Sequence, residues 1–412
     1  MQKKKVAVFF GGKSFEHDIS ILTGIEACKA VDSTKYEAFP IYVDLSGEWW
    51  TGEKLLDRRF YPLNNSNRFL VKRVHLIIGK GNFGSKNYYL ETQKSSLFDS
   101  KKRIDFDVAL LAFHGNYGEV GHFQGLCEIA GIPYTGCDVK ASAVFMDKSL
   151  TKKIAKSLNI PVLEEKILKK PADQNFFDIK VLTKDIDIPF PVIVKPNSLG
   201  SSIGVHKAEN EEELEAGVLQ IFALGDDALI EPFVENLEEY NISVSKAFDG
   251  TTRTSIIERP LKKNSAFLGF KDKYMSNGTK GGTKGGKLGG AKFGGTKFDN
   301  RSGSMVSLSR VYRPEELTHE EQANIENWAK AIFESVEGNG DPRIDFMCNS
   351  KTRQIYLNEI NPIPGSFAYY LWENSEYSIT QTELFTALIE EAEKKALKSA
   401  GDIILTESKV FK

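Results

Sequence analysis

The chain is poor in cysteine, in net charge and in long apolar runs. Its 412 residues include four cysteines, Cys28, Cys127, Cys137 and Cys348. They are scattered, with no Cys-x-x-Cys pair, so their spacing indicates neither a zinc site nor a disulfide framework. A reducing, intracellular setting fits. Lys and Arg (54) nearly balance Asp and Glu (56), and a net charge of −2 makes no case for nucleic acid or an anionic membrane as partner. No apolar stretch approaches the roughly 20 residues that span a bilayer. The start, Met1-Gln2-Lys3-Lys4-Lys5, is basic and runs into Val6-Ala7-Val8-Phe9-Phe10. That apolar run is too short for a secretory signal and stops at Gly11-Gly12 without a small-residue cleavage site. It reads as a first β-strand.

What is present is an ordinary globular composition, 41% hydrophobic and 27% charged. The length suggests two or three domains. Val6 to Phe10 is continuously apolar, as in a parallel strand buried on both faces. Ser14 is expected to cap a helix with Glu16 and Asp18 in its first turn. Ile19, Leu22, Ile25, Cys28 and Val31 then recur at helical spacing. A second strand is expected over 36–43, a strand-rich excursion over 45–102, and a buried strand over 107–113. Residues 139–158 predict one or two helices. Further helices are expected over 211–224, 314–336 and 382–398, and strands over 192–194, 228–234, 240–248, 343–348 and 354–360. Alternating strands and helices early on predict α/β with a parallel sheet; strand–strand neighbours later predict α+β.

Four constellations bear chemistry. In Phe10-Gly11-Gly12-Lys13-Ser14-Phe15-Glu16, glycines let backbone approach a ligand and Glu16 could hold an ammonium. On residue types alone, a tight turn with a capped helix is the better reading. In His114-Gly115-Asn116-Tyr117-Gly118-Glu119, a histidine follows a strand end, where ligands of α/β sheets gather. His114 suits anion binding or proton transfer, and a histidine satisfied by loop backbone is an equal alternative. In Val192-Ile193-Val194-Lys195-Pro196-Asn197-Ser198-Leu199-Gly200-Ser201-Ser202-Ile203-Gly204, a lysine leaves an apolar strand and a Gly/Ser loop follows. Such amides and hydroxyls, Ser202 among them, can cradle phosphates with the lysine supplying charge. The last constellation is Arg343-Ile344-Asp345-Phe346 with Leu357-Asn358-Glu359-Ile360-Asn361-Pro362. Strand alternation puts Arg343 and Asp345 on one face, and Glu359 and Asn361 on one face. If the strands are neighbours, Asp345, Glu359 and Asn361 converge as hard oxygen ligands suited to Mg²⁺ on phosphate. A structural ion pair between Arg343 and an acid is the competing reading.

In order along nearly the whole chain, these motifs resemble the D-alanine–D-alanine ligase family of the ATP-grasp superfamily. The ordered set adds Phe123-Gln124-Gly125, Pro133-Tyr134-Thr135-Gly136, Met146-Asp147-Lys148, Leu229-Ile230-Glu231, Lys273-Tyr274 and Pro364-Gly365. The resemblance implies three domains: an N-terminal parallel α/β substrate domain (1–142), a central ATP-grasp subdomain (143–234) and a C-terminal ATP-grasp domain (235–412). ATP would be gripped between the latter two. It implies that Lys148, Lys195, Ser202, Glu231, Glu239 and Lys273 contact ATP, and that Asp345, Glu359 and Asn361 hold Mg²⁺ or Mn²⁺. It implies that Glu16 holds the ammonium of the first D-alanine, linked to Ser201 and Tyr274. Arg343 and the Gly365 backbone would stabilise the tetrahedral intermediate. The reaction implied runs through an acyl phosphate, toward peptidoglycan precursors, in a cytoplasmic homodimer with no nucleic-acid or membrane partner.

Two departures stand out. The family's Ser-Leu pair, which receives the carboxylate of the second D-alanine, is Tyr370-Leu371 here, and Ser366 is smaller than the residue often found at its position. With His114, these are the candidate substrate contacts. The acceptor therefore stays open among D-alanine, D-lactate, D-serine or another amine; a ligase of another carboxylate and a non-catalytic nucleotide-binding relative are the rival readings. The second departure is the Gly/Lys-rich segment 276–304, read as a solvated linker rather than a long lid, because its glycines are costly to order.

Overall fold

The computed structural model describes residues 3–79, 86–94, 100–116, 118–173, 177–261 and 309–401. Tyr117, Lys273, Tyr274 and the segment 276–304 lie outside the described residues. Three sheets organise the described residues. The first holds β1 (Lys4–Gly11), β2 (Tyr36–Val43), β3 (Trp49–Thr51), β4 (Lys72–Ile78), β5 (Tyr88–Thr92), β6 (Arg103–Ile104) and β7 (Val108–Leu111), in the order β6-β5-β4-β3-β2-β1-β7. Among the described strands of this sheet, only β2, β1 and β7 run parallel. The expected excursion adds β3 to β6 as antiparallel neighbours. The parallel return from β1 to β2 is made by a crossover helix, α1 (His17–Ala30).

The helix α1 begins later than Ser14 suggested. Glu16 occupies the cap position, makes no side-chain cap hydrogen bond, and leaves the Ser14 hydroxyl to accept from the Glu16 N–H at 3.0 Å. The Glu16 carboxylate is thus kept for other partners. Down the helix, Ile21, Gly24 and Ile25 press onto β1. Gly24 is there because an added Cβ would collide with the ring of Phe10.

After α2 (His122–Ala130), the stretch over 139–158 forms two helices, α3 (Val139–Met146) and α4 (Lys148–Ser157). Asp147 ends one and caps the other, accepting from the Leu150 N–H at 2.8 Å. The second sheet contains β8 (Lys166–Leu168), β9 (Val192–Pro196), β10 (His206–Ala208) and β11 (Ala228–Pro232), in the order β10-β9-β11-β8. The short α5 (Ile179–Thr183) and the longer α6 (Glu211–Leu224) accompany it. Val192, Val194 and Ile230 point into a core with Leu214, Val218 and Ile221 of α6. By strand alternation, Ile193, Lys195 and Glu231 point the other way.

The third sheet contains β12 (Leu237–Ser245), β13 (Arg253–Thr254), β14 (Glu258–Pro260), β15 (Arg310–Tyr312), β16 (Arg343–Asn349) and β17 (Ile355–Asn361), in the order β15-β14-β12-β16-β17, with β13 on β12. One face buries Ile242, Ile344, Phe346 and Leu357 against α3, α4 and α7 (His319–Ser335), whose start is fixed by a Thr318–Glu321 capping box. The chain then passes through α8 (Tyr369–Glu373) and closes with α9 (Gln381–Gly401). Leu384, Phe385, Leu388 and Ile389 of α9 return to the core built on β1 and β7. Among the described residues no helix is long and apolar enough to cross a membrane.

Replacing Gly24 with alanine should force α1 off β1 and lower stability by about 1–3 kcal/mol. The thermal unfolding midpoint of Gly24→Ala checks this; an unchanged midpoint would refute the close contact.

Candidate active site

One cleft lies between the second and third sheets. Its inner end is apolar, lined by Leu163, Phe233, Leu237, Phe346 and Met347, and so suits a planar base. Beyond it the lining turns charged. Lys195 leaves β9 buried, its Nζ 2.7 Å from Glu231 Oε2 and 2.9 Å from Asn358 Oδ1. Lys152 reaches the other oxygen of Glu231, so one buried carboxylate serves two lysines. Burial, then the neighbouring Lys152, holds the Lys195 ammonium well below the usual lysine range. Burial lowers Lys152 to about 8, against the pull of Glu165.

Lys148 opens α4, and the loop after β9 fixes that helix end. The Asn197 carbonyl accepts from the Lys148 N–H at 3.1 Å, and its side chain accepts from the Ser149 N–H at 3.0 Å. Lys148 Nζ donates to the Leu199 carbonyl at 2.7 Å and lies 3.4 Å from Glu359 Oε2. Ser201 and Ser202, in the same loop, both have φ above 50° and line the cleft with Glu239. Left-handed backbone at a non-glycine residue is strained and recurs at functional sites.

The two motif strands are neighbours in register: Asp345 pairs with Glu359, and Arg343 with Asn361. All four side chains therefore share a face. A bulge between Asp345 and Phe346 adds Asn358 to the row facing Lys195. Arg343 is bidentate on Asp345, Nε to Oδ1 and Nη2 to Oδ2 at 2.7 Å each, and Asn361 Nδ2 donates to Oδ2 at 3.1 Å. The ion pair and the oxygen cluster thus coexist. Among the described residues no group of three or more His, Cys, Asp or Glu side chains stands ready for a metal. The donor set is two carboxylates and an amide, all hard oxygens that fit Mg²⁺ once phosphate oxygens add to them.

Glu16 is buried beside the cleft, 7% exposed, and accepts from the hydroxyl of Ser201, which lines it. Gly115 and Gly200 leave room for it, since a Cβ on either would crowd its carboxylate. His114 is buried behind, its Nε2 2.8 Å from Thr23 Oγ1. Burial lowers its pKa to about 4, against the hydrogen bond with the Ile363 backbone. Glu119 ties the same parts together, accepting from the N–H groups of Gly115 (2.5 Å) and Ile363 (3.1 Å).

The turn after Pro364 separates the remaining candidates. Ser366, Phe367 and Ala368 all have φ between 45° and 55°, a strained run stabilised by Phe367 packing edge-on to Phe385, 4.8 Å between centroids. Gly365 and Tyr370 face the cleft. The structure does not bring Ser366 or Leu371 to it. The Ser366 hydroxyl turns inward and donates to Glu26 Oε2 at 2.6 Å, and Leu371 packs with Ala368 and Tyr370. Tyr370 is held under Arg310 and beside Glu258. Neither Arg310 nor Glu258 belongs to a motif, and neither was legible as a site residue. Lys152 had a signal, its i+4 spacing from Lys148 on a helix.

Two family models match the chain, the D-ala D-ala ligase N-terminus over residues 5–137 and the D-ala D-ala ligase C-terminus over residues 154–284 and 297–390. The D-alanine–D-alanine ligase of Thermosipho africanus is 33% identical over 376 residues, 91% of this chain and 90% of that protein. The solved D-alanine–D-alanine ligase from Coxiella burnetii overlays with a TM-score of 0.71 at 24% identity, covering 97% of both chains. The D-Ala:D-Ser ligase VanG from Enterococcus faecalis overlays at 0.67 and 23% identity, covering 95% of this chain and all of that one. These likenesses carry the same ATP-grasp architecture as the cleft just described: the chain belongs to the D-alanine–D-alanine ligase family, the ATP-dependent ligases.

Proposed function

We propose that this chain joins two D-alanines at the expense of ATP, supplying D-alanyl-D-alanine for peptidoglycan precursors. The observation that carries the reading is the meeting of Lys195 and Lys148 with Asp345, Glu359 and Asn361 around one cleft, with Glu16 held beside it by Ser201. The adenine enters the apolar end beside Glu231, and Glu239 takes the ribose. Lys148, Lys195 and the Ser202 loop hold the phosphates. Asp345, Glu359 and Asn361 would hold Mg²⁺ or Mn²⁺, which when bound neutralises charge on the phosphate oxygens.

Glu16 and Ser201 fix the ammonium of the first D-alanine, so its carboxylate faces the γ-phosphate. A carboxylate oxygen bonds to that phosphorus as the bond to ADP breaks. The neutral amine of the second D-alanine then bonds to the acyl carbon, the bond from that carbon to the phosphate oxygen breaks, and phosphate leaves carrying the amine's proton. Arg343 and the Gly365 N–H steady the negative oxygen that forms in between. His114 stays neutral and braces α1 through Thr23, which keeps Glu16 in place. We place the enzyme in the cytoplasm as a homodimer, with domains over 1–142, 143–234 and 235–412.

Purified protein with ATP and Mg²⁺ should release ADP in proportion to D-alanine, and mass spectrometry should find the dipeptide. Arg343→Ala should lower kcat by about 10²–10³. Full activity in Asn361→Ala would reject the oxygen ligand set, and dipeptides made only with D-serine, or depsipeptide with D-lactate, would reassign the acceptor.

His114 also sets a pH dependence. Its folded value, about 4, lies below the ordinary 6.5. The stability it contributes is therefore complete above pH 6.5 and is lost as pH falls toward 4, amounting to about 3 kcal/mol. Urea unfolding across that window should show a shallower fall for His114→Gln; parallel curves would dismiss a buried neutral imidazole.

A further inference from the structure

The end of the cleft away from its apolar pocket is closed by side chains that no motif signals. Glu258 on β14 faces Asn241 on β12, Asn241 faces Asp345, and Asp345 faces Glu359. Cross-strand partners in antiparallel pairs share a face, so these four form one row across the sheet. Strands lie about 4.8 Å apart, which separates Glu258 from Asp345 by about 10 Å. Each of these two acids holds an arginine. Arg343 is bidentate on Asp345, and Arg310 Nη1 lies 3.0 Å from Glu258 Oε2. The guanidinium carbon of Arg310 also sits 3.8 Å from the centroid of the Tyr370 ring.

The Tyr370 hydroxyl is directed at the wall rather than the cleft. It donates to Glu258 Oε1 at 3.4 Å, and Asn241 Nδ2 donates to the same oxygen at 3.0 Å. We infer that Arg310, not Tyr370, receives the unreacting carboxylate of the acceptor amino acid, with Glu258 and the Tyr370 ring holding its guanidinium in place. This rests on the ligase reading above. The acceptor reacts at its amine, near Arg343, and its carboxylate must then settle along a row that already carries Glu258, Asp345 and Glu359. An anion entering there needs a cation beyond the one committed to the reacting carbon. A guanidinium is suited to that position, because its flat face rests on a ring while its edge donors reach more than one carboxylate. Tyr370, where a hydroxyl was expected to meet the substrate, becomes the platform under the group that does. Arg310 then selects acceptors that carry a carboxylate over neutral amines of the same shape.

The test is a competition. ATP, Mg²⁺ and D-alanine are supplied with an equal concentration of D-alaninamide, and mass spectrometry measures D-alanyl-D-alanine against D-alanyl-D-alaninamide. The variant is Arg310→Met combined with Glu258→Gln, so that no carboxylate is left buried without its cation. The product ratio should fall at least tenfold from wild type while the KM for ATP stays within twofold. Arg310→Lys, which keeps the charge and loses the fork, should give an intermediate ratio. A ratio unchanged in both variants, or loss of both products in equal measure with a raised KM for ATP, overturns the role of Arg310 alone. Wild-type protein that makes neither product overturns the ligase reading, and this inference with it.

Discussion

A single buried carboxylate, Glu231, holds two lysines, and the rest of the cleft is organised around that arrangement. Lys152 and Lys195 come from a helix and a strand of different layers, and both are under 10% exposed. Two ammonium groups brought so close would repel and lose hydration without an anion between them. Removing one member of such a buried cluster typically costs 3–5 kcal/mol, because the other charge is left uncompensated. The cluster therefore pins α4 to the second sheet and fixes where Lys148, four residues before Lys152, can reach. Asn197 repeats the constraint from the other side by capping the same helix. Lys148 and Lys195, the two lysines proposed to hold phosphate, are thereby positioned by groups that need not touch it.

The sequence revealed those parts of the site that depend on local periodicity. Lys195 is legible because an apolar strand hands it directly to a Gly/Ser loop. The face shared by Arg343 and Asp345 follows from strand alternation and holds in the observed register. The α/β opening and the strand-rich end are legible for the same reason. What escaped was set by distant contacts or by single-residue irregularities. The bulge that adds Asn358 to the row is invisible to a period of two. Ser14 looks like a cap, but the structure gives its hydroxyl to the Glu16 N–H, so α1 starts later and the Glu16 carboxylate is left to accept from Ser201. Ser366 and Leu371 were assigned by position after Pro364-Gly365, and a run of left-handed residues turns both inward.

Strain of that kind has a role in placing Gly365. Three successive residues with positive φ cost roughly 1–3 kcal/mol each. They persist because Phe367 and Trp372 lie in the core shared with α9 and β1. The same turn is stitched to the first sheet by Glu119, which accepts from the Gly115 and Ile363 N–H groups. One backbone excursion thus ties the third sheet's strand ends to the loops that present Glu16.

The charges of the cleft are balanced in a way that a triphosphate would rearrange rather than simply fill. Asp345 is matched by Arg343, Glu359 lies near Lys148, and Glu258 is matched by Arg310. The first two cations are those a triphosphate and its reacting carbon would draw on. Were they to turn to a nucleotide, Asp345 and Glu359 would be left as a pair of hard anions on adjacent strands, a condition that would favour a divalent cation. Nucleotide and metal would then bind better together than either alone, because each relieves the charge the other uncovers. Arg310 lies three strands from Asp345 and keeps Glu258 as its counter-ion. The acceptor end of the cleft therefore keeps its cation throughout, so that the second amino acid meets the same pocket before and after the first carboxylate is activated.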